Sequence, residues 1–256
     1  MSICFDLDGK TALVTGASAG LGAHFAATLS RAGARVILAA RRTNALHQIA
    51  ARIRDAAGEA YVVTMDVCER ASVEAAIDEA ESRFSPVDIL VNNAGVAQPQ
   101  RFLEMSEAAW RSVIDTDLSS VWRVSQVVAN RMMARGSGGS IVNIASVLGL
   151  VVQSTHSNYA SAKAGVIHLT KSLAVELWRH GVRVNAIAPG YFITAMNRDF
   201  FSSEAGQAYR KRLFPRRTGE LHELDGALVL LASDAGSYMT GVTIPVDGGT
   251  MLTGVQ

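Results

Sequence analysis

The sequence predicts an α/β fold: a single doubly wound parallel sheet of about seven strands, with helices on both faces. Short runs rich in β-branched residues alternate with longer Ala-rich segments along the chain, as expected for strands joined by helical crossovers. Several of these runs are continuously apolar, which is typical of strands buried on both faces. The length of 256 residues suits one such domain.

The predicted strands lie at residues 11–15, 36–39, 61–64, 89–92, 140–144, 182–188 and 243–246. The predicted helices lie between them, at residues 21–32, 43–57, 72–84, 106–135, 159–180 and 221–233. Because no repeat, low-complexity tract or linker interrupts this alternation, residues 1–256 are expected to form one domain. Segment 190–219 is rich in aromatic residues and Arg and is too long for a plain connection. It is predicted to form a flap over a substrate site.

Composition excludes several classes of protein. The chain is 49% hydrophobic and 18% charged, which indicates a globular rather than a disordered protein. A net charge of +1 gives no electrostatic reason to expect a nucleic-acid partner. The two cysteines, Cys4 and Cys68, show no metal-ligand spacing, so no metal site is predicted and a reducing compartment is favoured. The acidic N-terminus and the lack of a long apolar run predict a cytoplasmic protein without a membrane span.

A glycine-rich turn joins the first predicted strand to the first helix, reading Thr15-Gly16-Ala17-Ser18-Ala19-Gly20-Leu21-Gly22. Gly16 permits a tight turn, Gly20 lets backbone amides approach a pyrophosphate, and Gly22 allows close packing of helix and strand. The helix N-terminus adds N–H donors and a positive dipole. Many glycine clusters are simple turns, but this position after the first strand favours a dinucleotide site. Gly16, Ser18, Gly20, Leu21 and Gly22 are its predicted residues.

The residues after the second strand indicate which dinucleotide binds. An acid there would accept a hydrogen bond from the ribose 2′-hydroxyl and favour NAD. The chain instead has Arg41 and Arg42, which can bind a 2′-phosphate. NADP(H) is therefore favoured, while NAD remains possible because Ala19 adds no second cation inside the glycine loop. The alternative is that both arginines simply begin the next helix in solvent.

Tyr159 and Lys163 are the candidate catalytic pair. They lie four residues apart in Tyr-Ala-Ser-Ala-Lys, and Ser146 lies thirteen residues upstream of Tyr159. On a helix, residues i and i+4 share one face, so the Lys163 cation is expected to lower the pKa of the phenol toward neutrality. Such a phenol can exchange a proton with an alcohol or carbonyl oxygen that the Ser146 hydroxyl holds. The alternative is an ordinary pair on a helix surface. It is less favoured because these residues occur in the same chain as the dinucleotide motif.

The ordered set of motifs resembles the short-chain dehydrogenase/reductase family. The glycine loop, Asn92-Asn93-Ala94-Gly95, Ser146, Tyr159 with Lys163, and Pro189-Gly190 follow in that order. The chain is most similar to the branch with 3-oxoacyl-carrier-protein reductases and sugar or polyol dehydrogenases. The resemblance implies a Rossmann-like fold. Its C-terminal Asp247-Gly248-Gly249 implies a homotetramer formed through long helices and the last strand.

The resemblance also implies roles for individual residues. Further cofactor-binding residues would be Asp66, Val67, Asn93, Ala94, Gly95, Pro189, Gly190, Phe192 and Thr194. Ser146 would bind the substrate oxygen and Tyr159 would be the general acid or base. Lys163 would hold the nicotinamide ribose, so Tyr159 and Lys163 would also contact the cofactor. Phe192 differs mildly from the family pattern, in which an aliphatic residue is usual.

Asp117 is a larger departure, because the family usually has Asn at this position of the long helix after the fourth strand. Asp117 retains an acceptor but lacks the amide donor. If it is ionised near Lys163, it would partly cancel the effect of that cation on Tyr159. We therefore expect Asp117 to belong to the catalytic set and to raise the kinetic pKa of the step that depends on Tyr159. The alternative is a solvated acid at a helix kink.

The predicted function is NADP(H)-dependent interconversion of a ketone and a secondary alcohol by hydride transfer, with a small carbonyl or alcohol compound as substrate. The cofactor supplies the hydride chemistry. Two alternatives stay open: a non-catalytic NADP-binding regulatory protein on the same fold, and a redox-neutral epimerase or dehydratase. The substrate itself and the physiological direction are not predicted. Aromatic residues and arginines of the flap fit acyl thioesters, keto-acids, sugars or cyclic ketones, or they pack the flap and its surface.

Overall fold

A computed structural model of the chain describes residues 5–253; Cys4 lies outside this range. Seven parallel strands form one sheet in the order β3-β2-β1-β4-β5-β6-β7. The strands are β1 (Thr11–Thr15), β2 (Arg35–Ala40), β3 (Ala60–Thr64), β4 (Ile89–Asn92), β5 (Gly139–Ile144), β6 (Val182–Pro189) and β7 (Thr243–Val246). Each coincides with a predicted strand to within one residue at either end. The predicted doubly wound α/β fold is confirmed.

The α-helices of the described residues are α1 (Gly20–Arg31), α2 (Thr43–Asp55), α3 (Arg70–Arg83), α4 (Glu107–Ile114), α5 (Ser120–Arg135), α6 (Ser157–Leu177), α7 (Arg198–Ser202), α8 (Glu204–Arg212), α9 (Asp225–Ala232) and α10 (Thr250–Thr253). None of them is long and apolar enough to cross a membrane. They pack on the two faces of the sheet and enclose two main hydrophobic clusters. Along β1, Leu13 belongs to one cluster and Val14 to the other, because successive side chains of a strand point to opposite faces.

The prediction of one continuous helix over residues 106–135 is wrong, because the structure has two helices there. The segment is divided into α4 and α5 by a single π-helical turn, Asp115–Ser119. A π-turn inserts an extra residue into the helical ladder and changes the direction of the side chains that follow. Asp117 is fully buried at the centre of this turn, which excludes the solvated acid considered above.

Segment 190–219 contains α7 and α8, so it is more ordered than a plain loop. Phe201, Tyr209 and Leu213 form a small buried cluster against Tyr191. In this cluster the aromatic residues therefore pack against one another within the segment, which was the alternative to a role in substrate binding. Phe200 and Phe214 remain 47% and 57% exposed. A bridge between Phe192 and Gly219 closes the base of the segment, and its predicted role as a flap stays a prediction.

The strand order sets the position of the site. Strands β2 and β3 are added on one side of β1, whereas β4 to β7 are added on the other side, so the order of the strands reverses between β1 and β4. Ligands of such sheets bind outside the carboxyl ends of the strands at this point. The glycine loop after β1 and the Asn93-Ala94-Gly95 segment after β4 meet there. The fold thus brings together motifs that are more than seventy residues apart in the sequence.

Candidate active site

A cavity of about 450 Å³ opens at the carboxyl edge of the sheet. The predicted site residues that line it are Gly16, Ser18, Gly20, Leu21, Arg41, Arg42, Asp66, Val67, Asn93, Ala94, Gly95, Asp117, Ser146, Tyr159, Lys163, Pro189, Gly190, Phe192 and Thr194. Gly22 was also predicted to bind the cofactor but does not line the cavity. It lies under the glycine loop, where an added Cβ would come 2.4 Å from the Gly16 carbonyl oxygen, so its role is close packing.

The glycine loop is held by a residue that sequence reasoning missed. The Thr15 hydroxyl accepts hydrogen bonds from the backbone amides of Asn93 (3.0 Å) and Ala94 (3.1 Å). The Asn93 side chain returns a hydrogen bond of 2.9 Å to the Thr15 carbonyl. Gly16 has a φ of +66°, and a Cβ there would lie 2.8 Å from the Ala94 Cα. A side chain at residue 16 would therefore push apart the loop after β1 and the loop after β4.

The cavity has the features that a dinucleotide phosphate needs. Ala19, Gly20 and Leu21 line it at the N-terminus of α1. No side chain caps this helix, and its first turn contains no acidic residue. Its free N–H groups and positive dipole therefore point into the cavity as donors for an anion. The residues present fit a pyrophosphate at this position.

Two cations lie at the outer end of the same cavity. The Arg42 guanidinium donates a hydrogen bond of 3.0 Å to the Ser18 hydroxyl. Arg41 is 72% exposed and lies 3.8 Å from the Asp66 carboxylate. Both arginines follow β2, at the end of the cavity where an adenine ribose is expected. Arg42 does precede α2, as the alternative required, but its side chain turns back to the glycine loop.

Ser146, Tyr159 and Lys163 converge at the inner end of the cavity. Ser146 follows β5, is 8% exposed, and accepts a hydrogen bond of 3.1 Å from the Leu148 amide. Tyr159 and Lys163 lie in the first two turns of α6, and the Lys163 Nζ is 5.5 Å from the centre of the Tyr159 ring. The predicted common helix face is thus observed. The Lys163 Nζ also donates a hydrogen bond of 3.1 Å to the Ile144 carbonyl, which orients the ammonium.

The predicted fall in the pKa of Tyr159 is not observed. Burial raises the pKa of the phenol and exceeds the opposing effects of the Lys163 charge and the Ser146 hydrogen bond, while the Asp117 charge raises it further. The sign of the Lys163 effect is as expected, but removal of the phenolate from water is the larger contribution. Sequence spacing placed the cation correctly and could not show how closely protein surrounds the phenol.

Asp117 and Lys163 form a buried ion pair. The Asp117 Oδ2 lies 3.2 Å from the Lys163 Nζ, and both side chains are 5% exposed or less. The contact lacks hydrogen-bond alignment, so Oδ2 has no aligned donor, whereas Oδ1 accepts 2.8 Å from the Val96 amide. Gly95 permits this pair, since a Cβ there would lie 2.8 Å from Oδ2.

The ion pair changes the protonation of both partners. Burial raises the pKa of Asp117, although Lys163 and the Val96 amide lower it. Burial lowers the pKa of Lys163, but the negative charges of Asp117 and Tyr159 together bring it above its ordinary value. Lys163 therefore keeps its proton at neutral pH. Part of its charge is compensated by Asp117 instead of acting on Tyr159.

Other side chains add less to the chemistry. Cys68 and Thr116 line the cavity beside Val67 without having been predicted, and burial raises the pKa of the Cys68 thiol. His156 precedes α6, and its ring contacts Ser154 and Thr155, as expected for a residue at a helix start. Between residues 5 and 253, no group of His, Cys, Asp and Glu is arranged to hold a metal ion.

Comparison with known proteins agrees with the fold and the motifs. A family model described as enoyl-(acyl carrier protein) reductase matches residues 16–251. The chain is 38% identical to the 3-oxoacyl-[acyl-carrier-protein] reductase FabG of Escherichia coli, over 95% of this chain and 98% of that protein. It is 41% identical to the cis-4-hydroxycyclohexanecarboxylate dehydrogenase of Sinomonas cyclohexanicum, over 94% of this chain and 96% of that protein.

Solved structures give the same result. A short-chain type dehydrogenase/reductase from Mycobacterium marinum has a TM-score of 0.93 and 37% identity, covering 98% of this chain and 99% of that one. A gluconate 5-dehydrogenase from Burkholderia cenocepacia J2315, in complex with NADP and tartrate, has a TM-score of 0.93 and 38% identity, covering 97% and 98%. The chain therefore belongs to the short-chain dehydrogenase/reductase family of NAD(P)-dependent oxidoreductases.

Proposed function

We propose that this protein interconverts a ketone and a secondary alcohol with NADP(H), and that Tyr159 is its general acid or base. The observation that carries the proposal is the convergence of Ser146, Tyr159 and Lys163 at the inner end of a cavity whose other end fits a dinucleotide phosphate. The bound nicotinamide supplies or accepts the hydride. The protein must therefore bind the carbonyl oxygen, exclude water and move one proton.

Each of the three side chains has a separate task. The Ser146 hydroxyl donates a hydrogen bond to the substrate oxygen, where negative charge develops during reduction. The Tyr159 hydroxyl donates its proton to that oxygen, or removes a proton from the alcohol in the reverse direction. The Lys163 ammonium, fixed by the Ile144 carbonyl, stabilises the phenolate that remains and helps to hold the cofactor ribose.

The NADP preference rests on Arg41 and Arg42, which place two positive charges at the adenosine end of the cavity without a buried acid to accept from a ribose hydroxyl. Asp66 does lie beside Arg41 at 3.8 Å and reduces its attraction for an anion. We therefore propose a preference for NADP(H) over NAD(H) that is not absolute. The relative crystallised with NADP supports this choice.

Replacement of Tyr159 by Phe tests the proposal. It should lower NADPH-dependent ketone reduction by about a hundredfold to ten-thousandfold, the range for loss of a general acid, while binding of NADPH measured by fluorescence titration is retained. Tyr61→Phe is the matched control, because this tyrosine stacks on Phe84 and bonds Glu79. Equal activity of Tyr159→Phe and wild type would exclude Tyr159 as the acid.

The two other functions make different predictions. A regulatory protein would bind NADPH but reduce no ketone in a broad panel. An epimerase or dehydratase would convert its substrate without net change in NADPH absorbance. The named activities of relatives, on 3-oxoacyl carrier-protein thioesters, a hydroxycyclohexanecarboxylate and gluconate, support the oxidoreductase and leave the substrate class open.

A further inference from the structure

Three segments adjoin residues that line the cavity, and hydrogen bonds tie them together. The first begins two residues after Val96, the second lies between Ser146 and Tyr159, and the third contains Phe192 and Met196. We call them the entrance segments: residues 98–105, residues 147–158 and residues 190–219. The Gln100 amide donates to the Thr155 carbonyl at 2.8 Å, and the Asn158 side chain donates to the Gln98 carbonyl at 3.2 Å. The third segment is tied to the second by side chains alone.

A closed ring of hydrogen bonds makes that second connection. The Tyr209 hydroxyl donates to the Tyr191 hydroxyl at 2.7 Å, and the Tyr191 hydroxyl donates to the Gln153 Oε1 at 2.8 Å. The Gln153 Nε2 donates back to the Tyr209 hydroxyl at 3.4 Å. Both tyrosine protons are thus used inside the protein. The ring adjoins the cavity, because Tyr191 lies between Gly190 and Phe192 and both of these residues line it.

Three other polar side chains of the second entrance segment are also bonded within the protein. His156 contacts the Ser154 carbonyl, the Thr155 hydroxyl donates to the same carbonyl, and the Ser157 hydroxyl contacts the Met105 sulfur. The Gln100 Oε1 is an exception among residues 5–253, since it is buried without a donor. Because this oxygen is buried, it is not accessible to a substrate hydroxyl.

Apolar side chains, by contrast, are exposed on all three entrance segments: Phe102 (75%), Leu103 (93%), Leu150 (45%), Val152 (84%), Met196 (60%) and Phe200 (47%). Met196 lines the cavity itself, and the buried Phe192 lines it on the same segment. A substrate that contacts Met196 and Phe192 in the cavity loses water from its surface. This loss is favourable for hydrocarbon and unfavourable for hydroxyl groups that find no partner.

We infer that the substrate is a ketone or secondary alcohol with an apolar body, cyclic or acyl, and not a polyhydroxylated sugar or polyol. The inference rests on the proposed function and specifies its substrate class. The apolar Met196 and Phe192 in the cavity wall and the closed Gln153–Tyr191–Tyr209 ring beside it carry the inference. Ser146 and Tyr159 then bind the single oxygen that reacts.

Two ketones with the same carbon ring provide the test: cyclohexanone and 2,3,4,5,6-pentahydroxycyclohexanone. With NADPH and wild-type enzyme, we expect kcat/KM for cyclohexanone to be higher by about a hundredfold or more, since each unpaired hydroxyl reduces binding about tenfold. An equal or higher value for the pentahydroxy ketone would overturn the inference and leave the proposed function intact. Reduction of neither ketone, nor of any other carbonyl compound, would contradict the proposed function and the inference with it.

Two substitutions at one position test the apolar entrance. Met196→Gln should lower kcat/KM for cyclohexanone about threefold to tenfold, because it replaces apolar surface by an amide of similar size. Met196→Leu, the matched control, should stay within about twofold of wild type because it keeps the surface apolar. Equal values for both variants would show that Met196 does not contact the substrate body, which counts against the inference.

Tyr209→Phe tests whether the ring recognises substrate hydroxyls. The ring as described satisfies its own groups, so this variant should change kcat/KM for both ketones by a common factor and leave their ratio unchanged within about twofold. A selective loss with the pentahydroxy ketone would show that the ring binds hydroxyls and would overturn the inference.

Discussion

Asp117 is the residue whose charge most directly opposes that of Lys163, the cation of the proposed catalytic set. It contacts Lys163 at 3.2 Å in a fully buried position, where charges act more strongly than in water. An ionised carboxylate there raises the pKa of Tyr159 in two ways: by its own repulsion of the phenolate and by compensating the ammonium. The amide that the family usually has at this position would do neither.

Asp117→Asn should therefore lower the pKa of Tyr159. In the reduction direction the phenol must carry its proton, so activity is lost as pH rises through this pKa. The basic limb of the pH profile of kcat/KM should move about one pH unit lower in the variant, the lower end of the range expected for removal of a nearby charge. Turnover at neutral pH should stay within about tenfold of wild type.

Asp115→Asn is the matched control, since Asp115 lies in the same π-turn but is 45% exposed and pairs with Arg123. Its basic limb should coincide with that of wild type. An unchanged limb in Asp117→Asn would remove Asp117 from the proton chemistry and leave it a structural role.

A second prediction for single residues concerns the role of Arg41 and Arg42 in cofactor preference. Each should strengthen binding of the 2′-phosphate of NADPH by a charge-assisted contact. Arg41→Ala and Arg42→Ala should each raise KM for NADPH about tenfold at low ionic strength and change KM for NADH less than about twofold. Arg52→Ala, an exposed position on α2, is the control. An equal rise in KM for NADPH and NADH would show that the arginines do not bind the 2′-phosphate.

Among the elements, β6 and α9 are joined by a buried arginine. Arg183 is 9% exposed, and its guanidinium donates to the carbonyls of Leu231, Gly236 and Ser233 at 2.9–3.0 Å. These carbonyls lie at and beyond the C-terminus of α9, where a cation is favourable. The Leu231 carbonyl also accepts from Ser140. The other two have no second side-chain donor among the described residues.

Arg183→Leu should accordingly reduce the free energy of unfolding by about 2–4 kcal/mol, because buried carbonyls lose charged donors that leucine cannot replace. Urea denaturation measures the change. Arg179→Leu, at an exposed position just after α6, should change the free energy of unfolding by less than about 0.5 kcal/mol. A loss below 1 kcal/mol in Arg183→Leu would show that water replaces the guanidinium.

For the whole molecule, cofactor binding and folding are linked. The cavity is built from the carboxyl ends of β2, β5 and β6, from the loops that follow β1 to β6, and from residues of the π-turn and α6, so it exists only in the folded chain. NADPH at one hundred times its dissociation constant should stabilise the protein by about 2.7 kcal/mol. This corresponds to a rise in Tm of about 5–10 °C for a chain of this length. NADH at the same concentration should give a smaller rise in a thermal scan.

Assembly is a separate prediction at this scale. The family resemblance implies a homotetramer, and β7 is the terminal strand of the sheet. Large apolar side chains are exposed at Trp178 (45%) and Tyr238 (93%), whose rings contact each other. Light scattering after gel filtration should give four times the chain mass of 27.2 kDa. A monomer at micromolar concentration would contradict the prediction.

The sequence alone determined those features that depend on local spacing. The seven strands follow from short apolar runs, and the common face of Tyr159 and Lys163 follows from their separation by four residues. The glycine loop was readable because its residues are consecutive. The presence of Asp117 in place of the usual Asn could also be seen in the sequence.

Only the tertiary structure decided what depends on contacts between distant residues. The π-turn that buries Asp117, the high pKa of Tyr159, the Thr15 hydroxyl that joins two loops and the Gln153–Tyr191–Tyr209 ring all belong to this class. Burial and hydrogen-bond geometry are set by packing of the whole chain, and sequence spacing contains no measure of either. The proposed catalytic groups could therefore be chosen from local spacing, whereas their electrostatics and the packing around the cavity could not be predicted from it.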